Sequence, residues 1–484
     1  MHLGAIPKQK PPQIPIEAFE NLQAEKRLSN NATLAATVRK ELGRKSVAPG
    51  LKETLTEKPK ELDAFFSLVE GQYDCPGGVV ETRHATICTD MAGFLGYTAE
   101  KRQLKGEYIC RIGFDGGGPE KSNSLKLTLS LVEWIPVSPL SPLSPAHKKA
   151  AFDFPPSKTK YKDTGEKKAL IIALIPNVSE TYRNVKNVFE QIDWAAFGPN
   201  FVFVLDLKMA NIINGQQHHM ASFPCNHCTW QYQGFKSIAP DVRKKLKVYP
   251  RTIGSQRLLA DQYNSATGAR KDPKNFYSTP LQPLIPGPDS QRITFKVPPP
   301  ELHILEGIGN NLLCKINKDL GGDGKQCNPL FDWLTGQGIY RRNFTYQGNP
   351  ISDILDDHLG SLRAWLPARL HKYVDVFDQL KLVKDSCFGF DLAADYKVHI
   401  AEFKRVFLKV SNEYAKAHIL WTHVPEFCDK EKRGLGIFSE QCSETVHEGF
   451  AAVLKNYNVN HPQNHKLFCK AFFEAVKKYN SMNI

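Results

Sequence analysis

Two short pairs of possible metal ligands lie far apart in this chain of 484 residues. The first pair is Cys225 and Cys228, and the second is His418 and His423. Two thiolates and two imidazoles make one complete set of ligands for a tetrahedral structural zinc ion. Because each pair is common on its own, the prediction of one shared Zn²⁺ site rests on their conjunction.

The spacing of the histidine pair sets a condition on that site. Residues five positions apart on a regular helix point about 140° apart, so both histidines reach one ion only if the helix ends or distorts. Pro425 follows His423 closely and predicts that a helix ends there. The remaining histidines near these segments are expected at the surface: His218, His219, His227, His461 and His465.

Acidic residues close to each pair could hold a second kind of metal. Asp115 lies in an Asp-Gly turn after a strand-like segment, and Asp206 ends an apolar run. A third acid, Glu440 or Glu444, follows the histidine pair, and their spacing of four places both on one helix face. Carboxylates bind hard cations such as Mg²⁺ or Mn²⁺, and two such ions could support in-line attack on a phosphodiester.

Each acid also has a purely structural interpretation. Asp-Gly is a common hairpin turn, so Asp115 could serve the turn alone. Asp206, at the end of a strand, could be a turn residue or a cap. Glu440 and Glu444 could belong to an ordinary helix N-terminus, where Ser439 caps and acids favour the first turn. These patterns alone leave both interpretations open.

Composition favours an anionic partner and a reducing compartment. The formal net charge of +13 favours a polyanionic partner, although charge alone does not distinguish nucleic acid from an acidic membrane surface. No apolar run reaches the roughly 18 residues of a membrane span, and the N-terminus lacks the apolar segment of a secretory signal. The 11 cysteines therefore predict reduced thiols in the nucleus or the cytoplasm. We expect no membrane partner.

The order of predicted elements indicates an α/β fold with a mixed sheet. The elements are strands at 108–114, 125–134, 169–175 and 201–206, and a helix at 180–192 before the last strand. A Ser/Pro-rich surface loop at 138–145 separates the second strand from the third. A hairpin followed by a crossover helix is the opening of a ribonuclease-H-like fold, in which acids on the first and later parallel strands meet at one edge.

Four regions follow from this pattern. Residues 1–104 are predicted to form a small helical and basic region that could bind DNA or dimerise. Residues 105–236 would form the ribonuclease-H-like core with the first two acids. Residues 237–433 would be a large, mainly helical insertion that carries the zinc-binding histidines, and 434–484 a helical C-terminal part of the core with the third acid.

The acids and their surroundings resemble the catalytic core of the V(D)J recombinase and of the related Transib-type cut-and-paste transposases. In that family the first acid sits in an Asp-Gly turn after a strand, as Asp115 does here. The second acid precedes a Cys-x2-Cys pair at a separation similar to that between Asp206 and Cys225. The third acid closes a Gly-x-x-Ser-Glu-x-x-x-Glu segment, which 436–444 matches.

The histidine pair extends this resemblance, which covers about residues 105–455. The family's His-x4-His pair runs into Val-Pro-Glu, as His418–His423 does here, and a Leu-His stretch matches at His303. The chain also departs from the family. His447-Glu448 replaces an Asn-Lys pair, the Ser/Pro-rich loop resembles an insertion, and no target-reading module is evident.

The resemblance implies a DDE-type transposase: a DNA endonuclease and strand transferase that joins a freed 3′-hydroxyl to a second phosphodiester. It makes Asp115, Asp206 and Glu444 the catalytic acids, with Glu440 as the less favoured third acid. These acids would hold two Mg²⁺ or Mn²⁺ ions, and the zinc would be structural. The implied partners are double-stranded DNA at transposon ends and a second copy of the chain, in the nucleus.

Two other classes of function remain compatible with the sequence. A domesticated DNA-binding protein could keep the zinc-stabilised scaffold without catalysis. A zinc-organised protein–protein interaction module could keep the scaffold without DNA. If DNA nicking requires a divalent cation and the acids, the protein is an enzyme and not only a DNA-binding protein. Absence of salt-sensitive DNA binding would indicate the protein–protein interaction module.

Overall fold

The structure is a computed structural model, which describes residues 60–104, 108–117, 124–135, 160–162, 168–218, 220–232, 247–323, 327–341, 345–457 and 465–484. In these residues one mixed β-sheet is joined to a helical body. The predicted α/β class is therefore confirmed. None of the helices in the described ranges is both long enough and apolar enough to cross a membrane.

Seven strands form the sheet. They are β1 (Phe66–Asp74), β2 (Val80–Cys88), β3 (Tyr108–Gly116), β4 (Ser124–Ile135), β5 (Lys160–Lys162), β6 (Leu170–Pro176) and β7 (Phe201–Val204). The order is β1-β2-β6-β4-β3-β7, and the short β5 pairs with β4. Only the β3–β7 pair is parallel among these ladders. Every residue of β6 is buried, which suits a strand covered on both faces.

The helices fall before, between and after these strands. Those around the sheet are α1 (Met91–Lys101), α2 (Tyr182–Phe189), α3 (Leu207–Ile213), α12 (Gln441–Leu454) and α13 (His465–Asn483). Those of the insertion are α4 (Ile253–Ser265), α5 (Glu301–Asp319), α6 (Pro329–Gly336), α7 (Pro350–Asp353), α8 (Leu359–Trp365), α9 (His371–Cys387), α10 (Tyr396–Phe407) and α11 (Ala415–Glu431). One π-turn at Ile354–His358 links α7 to α8.

Two apolar cores correspond to the sheet and to the insertion. The first packs the sheet against helices that include α2, α12 and α13. The second lies among the insertion helices and includes Val204 of β7 as well as Cys225 and Cys228. Because β7 and the cysteine loop contribute to the second core, the insertion packs directly on the edge of the sheet that carries the acids.

The N-terminal part corrects one expectation. Residues 60–104 are not a helical region, because β1 and β2 form a hairpin that joins the main sheet through β2 and β6. The turn contains Gly77 and Gly78, both at positive φ, which is the turn chemistry that a tight reversal requires. The expectation for residues 1–59 lies outside the described residues.

The last helix supports an irregular place in the central strand. The β4–β6 ladder shifts register between Leu127 and Thr128. Beside this irregularity, the buried side chain of Asn480 on α13 accepts a hydrogen bond from the Ile171 amide and donates one to the Ile171 carbonyl, both at 2.8 Å. Asn480 therefore pairs both backbone groups of one residue in β6 and joins the C-terminus to the sheet.

Replacement of Asn480 by alanine should destabilise the fold strongly. The substitution leaves one buried N–H and one buried C=O without partners, at a cost of about 1–3 kcal/mol each. We expect Asn480→Ala to lower the free energy of unfolding by about 2–5 kcal/mol, measured by urea denaturation. Asn456→Ala is the matched control, because Asn456 is exposed and its side chain bonds only the Ala452 carbonyl at the nearby end of α12. Equal stability of the two variants would contradict this role.

Candidate metal centre and acidic site

The four predicted zinc ligands lie together and are all buried. One ligand atom from each of Cys225, Cys228, His418 and His423 lies within 4.8 Å of every other. The sulfur of Cys228 is 3.3 Å from Nε2 of His418 and 3.2 Å from Nε2 of His423. Ligands of one tetrahedral zinc lie roughly 3.5 Å apart. The cluster can therefore hold a zinc ion.

Carboxylates behind the histidines fix which ring nitrogen faces the sulfurs. Nδ1 of His418 lies 3.2 Å from Oε1 of Glu413, and Nδ1 of His423 lies 3.0 Å from Oε2 of Glu426. The ring of Trp230 also stacks on His418 at 4.5 Å. Such carboxylate–histidine pairs are typical of zinc sites, because they orient the imidazole and raise its basicity.

Charge in the cluster already favours the form of cysteine that binds zinc. Burial opposes ionisation of Cys225, but a hydrogen bond from Cys228 and the charge of His423 together bring its pKa well below the usual value. Burial likewise opposes protonation of His423, and the Cys225 thiolate outweighs it and raises that pKa to about 9. A thiolate with cationic neighbours is a ready metal ligand.

A buried arginine holds the cysteine loop in shape. Arg251 is 1% exposed, and its Nε donates to the carbonyl oxygens of both Cys225 and Cys228, at 3.1 and 3.0 Å. Its Nη1 donates to Gln256 on α4, so the loop is also tied to that helix. The guanidinium therefore fixes the backbone from which both thiolates project.

Two expectations about histidines are wrong. Helix α11 continues through Pro425 to Glu431, and Pro425 lies inside it. Proline has no N–H, so this helix loses one internal hydrogen bond without ending. Its two ligand rings approach the cluster at an interplanar angle of 73°. His227 is fully buried, not on the surface, and its ring centre is 4.9 Å from that of His423.

Asp115 and Asp206 lie at the same level of the sheet. The parallel register of β3 and β7 pairs Cys110 with Phe201 and ends with Gly113 opposite Val204. Each acid is two residues beyond that last pair, and the two paired strands are about 4.8 Å apart. Asp206 follows the end of β7 as the N-cap of α3. Asp115 is still within β3, not in the turn that the sequence predicts. The two acids therefore meet at one edge, as expected.

Asp206 has a capping role in addition to its place beside Asp115. Its Oδ1 accepts a hydrogen bond from the Met209 amide at 2.6 Å and caps α3. Burial, and then the negative charges of Asp115 and Glu440, raise the pKa of Asp206, against the opposing Met209 bond and the charge of His303. The structural interpretation of Asp206 is therefore confirmed, and its second carboxylate oxygen is not used by the cap.

The two candidates for the third acid lie at the start of α12, which packs against β3: Glu440 is its N-cap, and Glu444 lies in its first turn. Glu440 is 3% exposed, and its Oε1 lies 3.1 Å from the His303 amide and 2.9 Å from His303 Nδ1. Its Oε2 is buried with no partner among the described atoms. Glu444 lies one turn further along α12, and the structure describes only its backbone.

A histidine and a lysine that the sequence did not single out for the site compensate this negative charge. Burial opposes protonation of His303, but the hydrogen bond and charge of Glu440 and the charge of Asp206 raise its pKa to about 9. Burial lowers the pKa of Lys416, while Glu306, Asp206 and Glu440 oppose that effect. Of these two residues, only His303 was marked in the sequence, by the Leu-His match to the family.

Two more residues form a chain of contacts that ends on Asp115. Nε2 of His447, on α12, lies 2.6 Å from Oδ2 of Asp115. Nδ1 of the same ring lies 2.7 Å from Nζ of the buried Lys126 on β4. In the sequence His447 stood out only as a departure from the family, and Lys126 gave no signal, because an isolated lysine in a strand usually faces solvent.

A cavity of about 760 Å³ opens beside Asp115. One wall is formed by β3 and α12, and the other by insertion segments around Tyr340 and Asn349. The carboxylates in its lining are Asp115, Asp353 and Glu448, and none of the described lining residues is a lysine or an arginine. An anionic ligand near Asp115 would therefore require a bound cation to offset the carboxylates.

Zinc content tests the cysteine–histidine cluster. We expect about one zinc per chain in the purified protein and none in Cys228→Ser, because a hydroxyl does not replace a thiolate in such a site. Cys314→Ser is the matched control, since Cys314 is an exposed cysteine outside the cluster. Metal content is measured by inductively coupled plasma mass spectrometry. Equal zinc in wild type and Cys228→Ser would refute the site.

Residues 160–249 match a protein family described as a domain of unknown function, DUF8703. The matched segment contains β6, α2 and β7, the second acid Asp206, and the cysteine pair. It ends well before the histidine pair and α12. No curated protein matches the chain. The match thus unites one strand-end acid and half of the zinc cluster in a single segment, and it carries no described activity.

Proposed function

We propose that the protein is a transposase-like DNA endonuclease and strand transferase, in which two divalent cations are held by Asp115, Asp206 and Glu444. The observation that supports this most is the β3–β7 register, which brings Asp115 and Asp206 together at one strand-end edge. Carboxylates on adjacent parallel strands can share hard cations. Asp206 also carries a raised pKa beside two other acids, as functional carboxylates commonly do.

The topology of the sheet supports a ribonuclease-H-like core. Strands β3, β4 and β6 form an antiparallel meander, α2 then crosses over, and β7 returns parallel to β3. This is the order that the family resemblance requires, with the first acid on the first strand and the second acid after the parallel strand. The extra β1–β2 hairpin extends the opposite edge and leaves the acids accessible.

We assign the third carboxylate to Glu444 and a positioning role to Glu440. Glu440 already binds His303 through one oxygen. Glu444 follows it by one helical turn and precedes His447, whose ring contacts Asp115. Residues three and four apart lie on one helix face, so the backbone of Glu444 lies between Glu440 and His447. The charge of Glu440 acts on Asp206, and the ring of His447 contacts Asp115.

The reaction would be two successive in-line displacements at phosphorus. Water attacks one phosphodiester and releases a 3′-hydroxyl, and that hydroxyl then attacks a second phosphodiester and releases its leaving oxygen. Bound Mg²⁺ or Mn²⁺ would activate the attacking oxygen and stabilise the leaving one. The chain contributes three carboxylates as cation ligands, with His303 and Lys416 limiting their mutual repulsion.

The zinc would be structural in this enzyme. Cys225, Cys228, His418 and His423 would supply all four ligands of such an ion, as in structural zinc sites, so no position would remain for a substrate. A zinc ion bound there would join the loop that follows α3 to helix α11, and so would tie the insertion to the sheet. The insertion can then face the DNA strand at a fixed distance from the acids.

Double-stranded DNA is the proposed partner, consistent with the net charge of +13. A homodimer in the nucleus follows from the resemblance, because two DNA ends must be processed together. The sequence has two basic clusters, at 243–247 and at 341–342. Of the first cluster, only the exposed Lys247 lies within the described residues. Of the pair at 341–342, Arg341 stacks over the Phe331 ring at 4.0 Å, so its guanidinium is partly committed to the insertion core.

A nicking assay on supercoiled plasmid tests the enzyme directly. With Mn²⁺ or Mg²⁺ present, we expect wild type to nick DNA and Asp115→Asn or Asp206→Asn to lose at least about a hundredfold in rate, because each removes a cation ligand. Glu190→Gln is the control, an exposed acid away from the site. If Asp206→Asn nicks as fast as wild type, the proposal fails.

The same assay assigns the third acid. Glu444→Gln should be as inactive as Asp206→Asn, whereas Glu440→Gln should keep a measurable rate, because its amide can still accept a hydrogen bond from His303. The reverse order would make Glu440 the ligand. If every variant and wild type equal the buffer background while DNA binding persists, the domesticated DNA-binding protein is the better description.

A further inference from the structure

A hydrogen-bonded chain of three side chains ends on the first acid. Lys126 lies directly opposite Asp115 in the β3–β4 ladder and is only 1% exposed. Its Nζ is 2.6 Å from the Gly117 carbonyl oxygen and 2.7 Å from Nδ1 of His447. Nε2 of His447 is 2.6 Å from Oδ2 of Asp115. The proposed catalytic role of Asp115 does not account for this chain.

The donor chemistry of lysine fixes the direction of these bonds. An ammonium group has three hydrogens and no lone pair, so it can only donate. Nδ1 of His447 must therefore accept from Lys126, and the ring hydrogen must be on Nε2. Nε2–H then donates to Asp115. One of the two oxygens of the first acid is thus occupied by a proton donor.

The local charges support a protonated Lys126. Burial lowers its pKa to about 8, and the negative charge of Asp115 opposes this effect. At neutral pH the ammonium form still predominates. A buried cation that bonds one carbonyl and one imidazole is satisfied only while His447 stays in place, so the lysine in turn orients the ring.

We propose that Lys126 and His447 are positioning residues that mask one oxygen of Asp115, so that the first acid offers a single oxygen to a divalent cation. This rests on the proposed metal site. The cation would bind weakly to the protein alone, because the masked oxygen is lost as a ligand. Phosphate oxygens of bound DNA would then supply ligands that the carboxylate withholds, which couples cation binding to the substrate.

Two substitutions at position 447 separate masking from ring packing. The amide of asparagine falls near the place of Nδ1, so His447→Asn can still accept from Lys126 but no longer reaches Asp115. The amide of glutamine falls near the place of Nε2, so His447→Gln retains a donor on Oδ2. Both are neutral and polar. His447→Asn keeps the Lys126 contact and loses the Asp115 contact, whereas His447→Gln keeps the Asp115 contact and loses the Lys126 contact.

The first experiment measures Mn²⁺ affinity of the zinc-loaded full chain without DNA, by electron paramagnetic resonance of free Mn²⁺. A hydrogen bond to a charged group corresponds to a factor of about ten in affinity. We expect His447→Asn to bind Mn²⁺ about tenfold more tightly than wild type, and His447→Gln to bind like wild type. Asp115→Asn identifies the site, because it should weaken binding in each background.

Affinity of His447→Asn that equals wild type would overturn the masking. Weaker binding would overturn it as well and would make His447 itself a ligand of the cation. If no Mn²⁺ binding depends on Asp115 in any variant, the proposed metal site fails, and a second measurement still decides the contact chain.

That second measurement is the tautomer of His447, read by ¹⁵N NMR on histidine-labelled protein, with His447→Gln to assign the signal. The chain predicts hydrogen on Nε2 and a free lone pair on Nδ1 that accepts from Lys126. Lys126→Met, similar in size but without a donor, should shift the Nδ1 signal. Hydrogen on Nδ1 in wild type would overturn the proposal whatever the metal affinity is.

Discussion

The parallel pairing of β3 with β7 is the constraint on which the acidic site depends. It sets Asp115 and Asp206 at one level of the sheet although β4, β5, β6 and α2 lie between them in sequence. A shift of one residue would turn one of the two side chains to the opposite face. The apolar residues of β7 fix the register, because Phe201, Phe203 and Val204 must stay buried.

Such a register brings like charges together, and the surroundings must compensate them. Burial raises the pKa of Asp206, and it raises that of Glu301 to about 8, with Glu440 adding to both effects. His303 and Lys416 enter from two different helices and carry the opposing charge. A site of this kind is stable only while several elements remain docked, so its charge balance and the packing of the insertion depend on each other.

The sequence predicted the strands of the core well because they are apolar runs with clear ends. It predicted which two cysteines and two histidines lie together, because such pairs carry their chemistry in their spacing. The β1–β2 hairpin was missed although Gly77 and Gly78 marked its turn, because its strands alternate weakly and its N-terminal neighbours look helical. Pro425 misled because a helix held by packing on both sides tolerates one missing hydrogen bond.

The residues missed in the site have a common physical cause. Lys126, His303 and His447 act through partners that are distant in the chain, and only the folded geometry shows those partners. A buried lysine has the same letter as an exposed one. His303 gave only a two-residue match, and His447 was visible only as a departure from a family pattern. Polar networks therefore require the fold before they can be assigned.

The connection between the two cores completes this dependence. The cysteine–histidine cluster joins the loop after α3 to α11. The buried Arg111 of β3 donates from Nη1 to the Ile437 carbonyl at 3.0 Å, just before α12. The cluster fixes the segment that follows Asp206, and the Arg111 hydrogen bond fixes the start of α12, where Glu440 and Glu444 lie. Arg111 lies on β3, and the cysteine loop follows β7 and α3, so both connections begin at the parallel pair of strands. The insertion therefore cannot move away from the sheet without also separating the carboxylates. The same packing that gives the insertion its stability thus also keeps the acidic residues at one edge of the sheet.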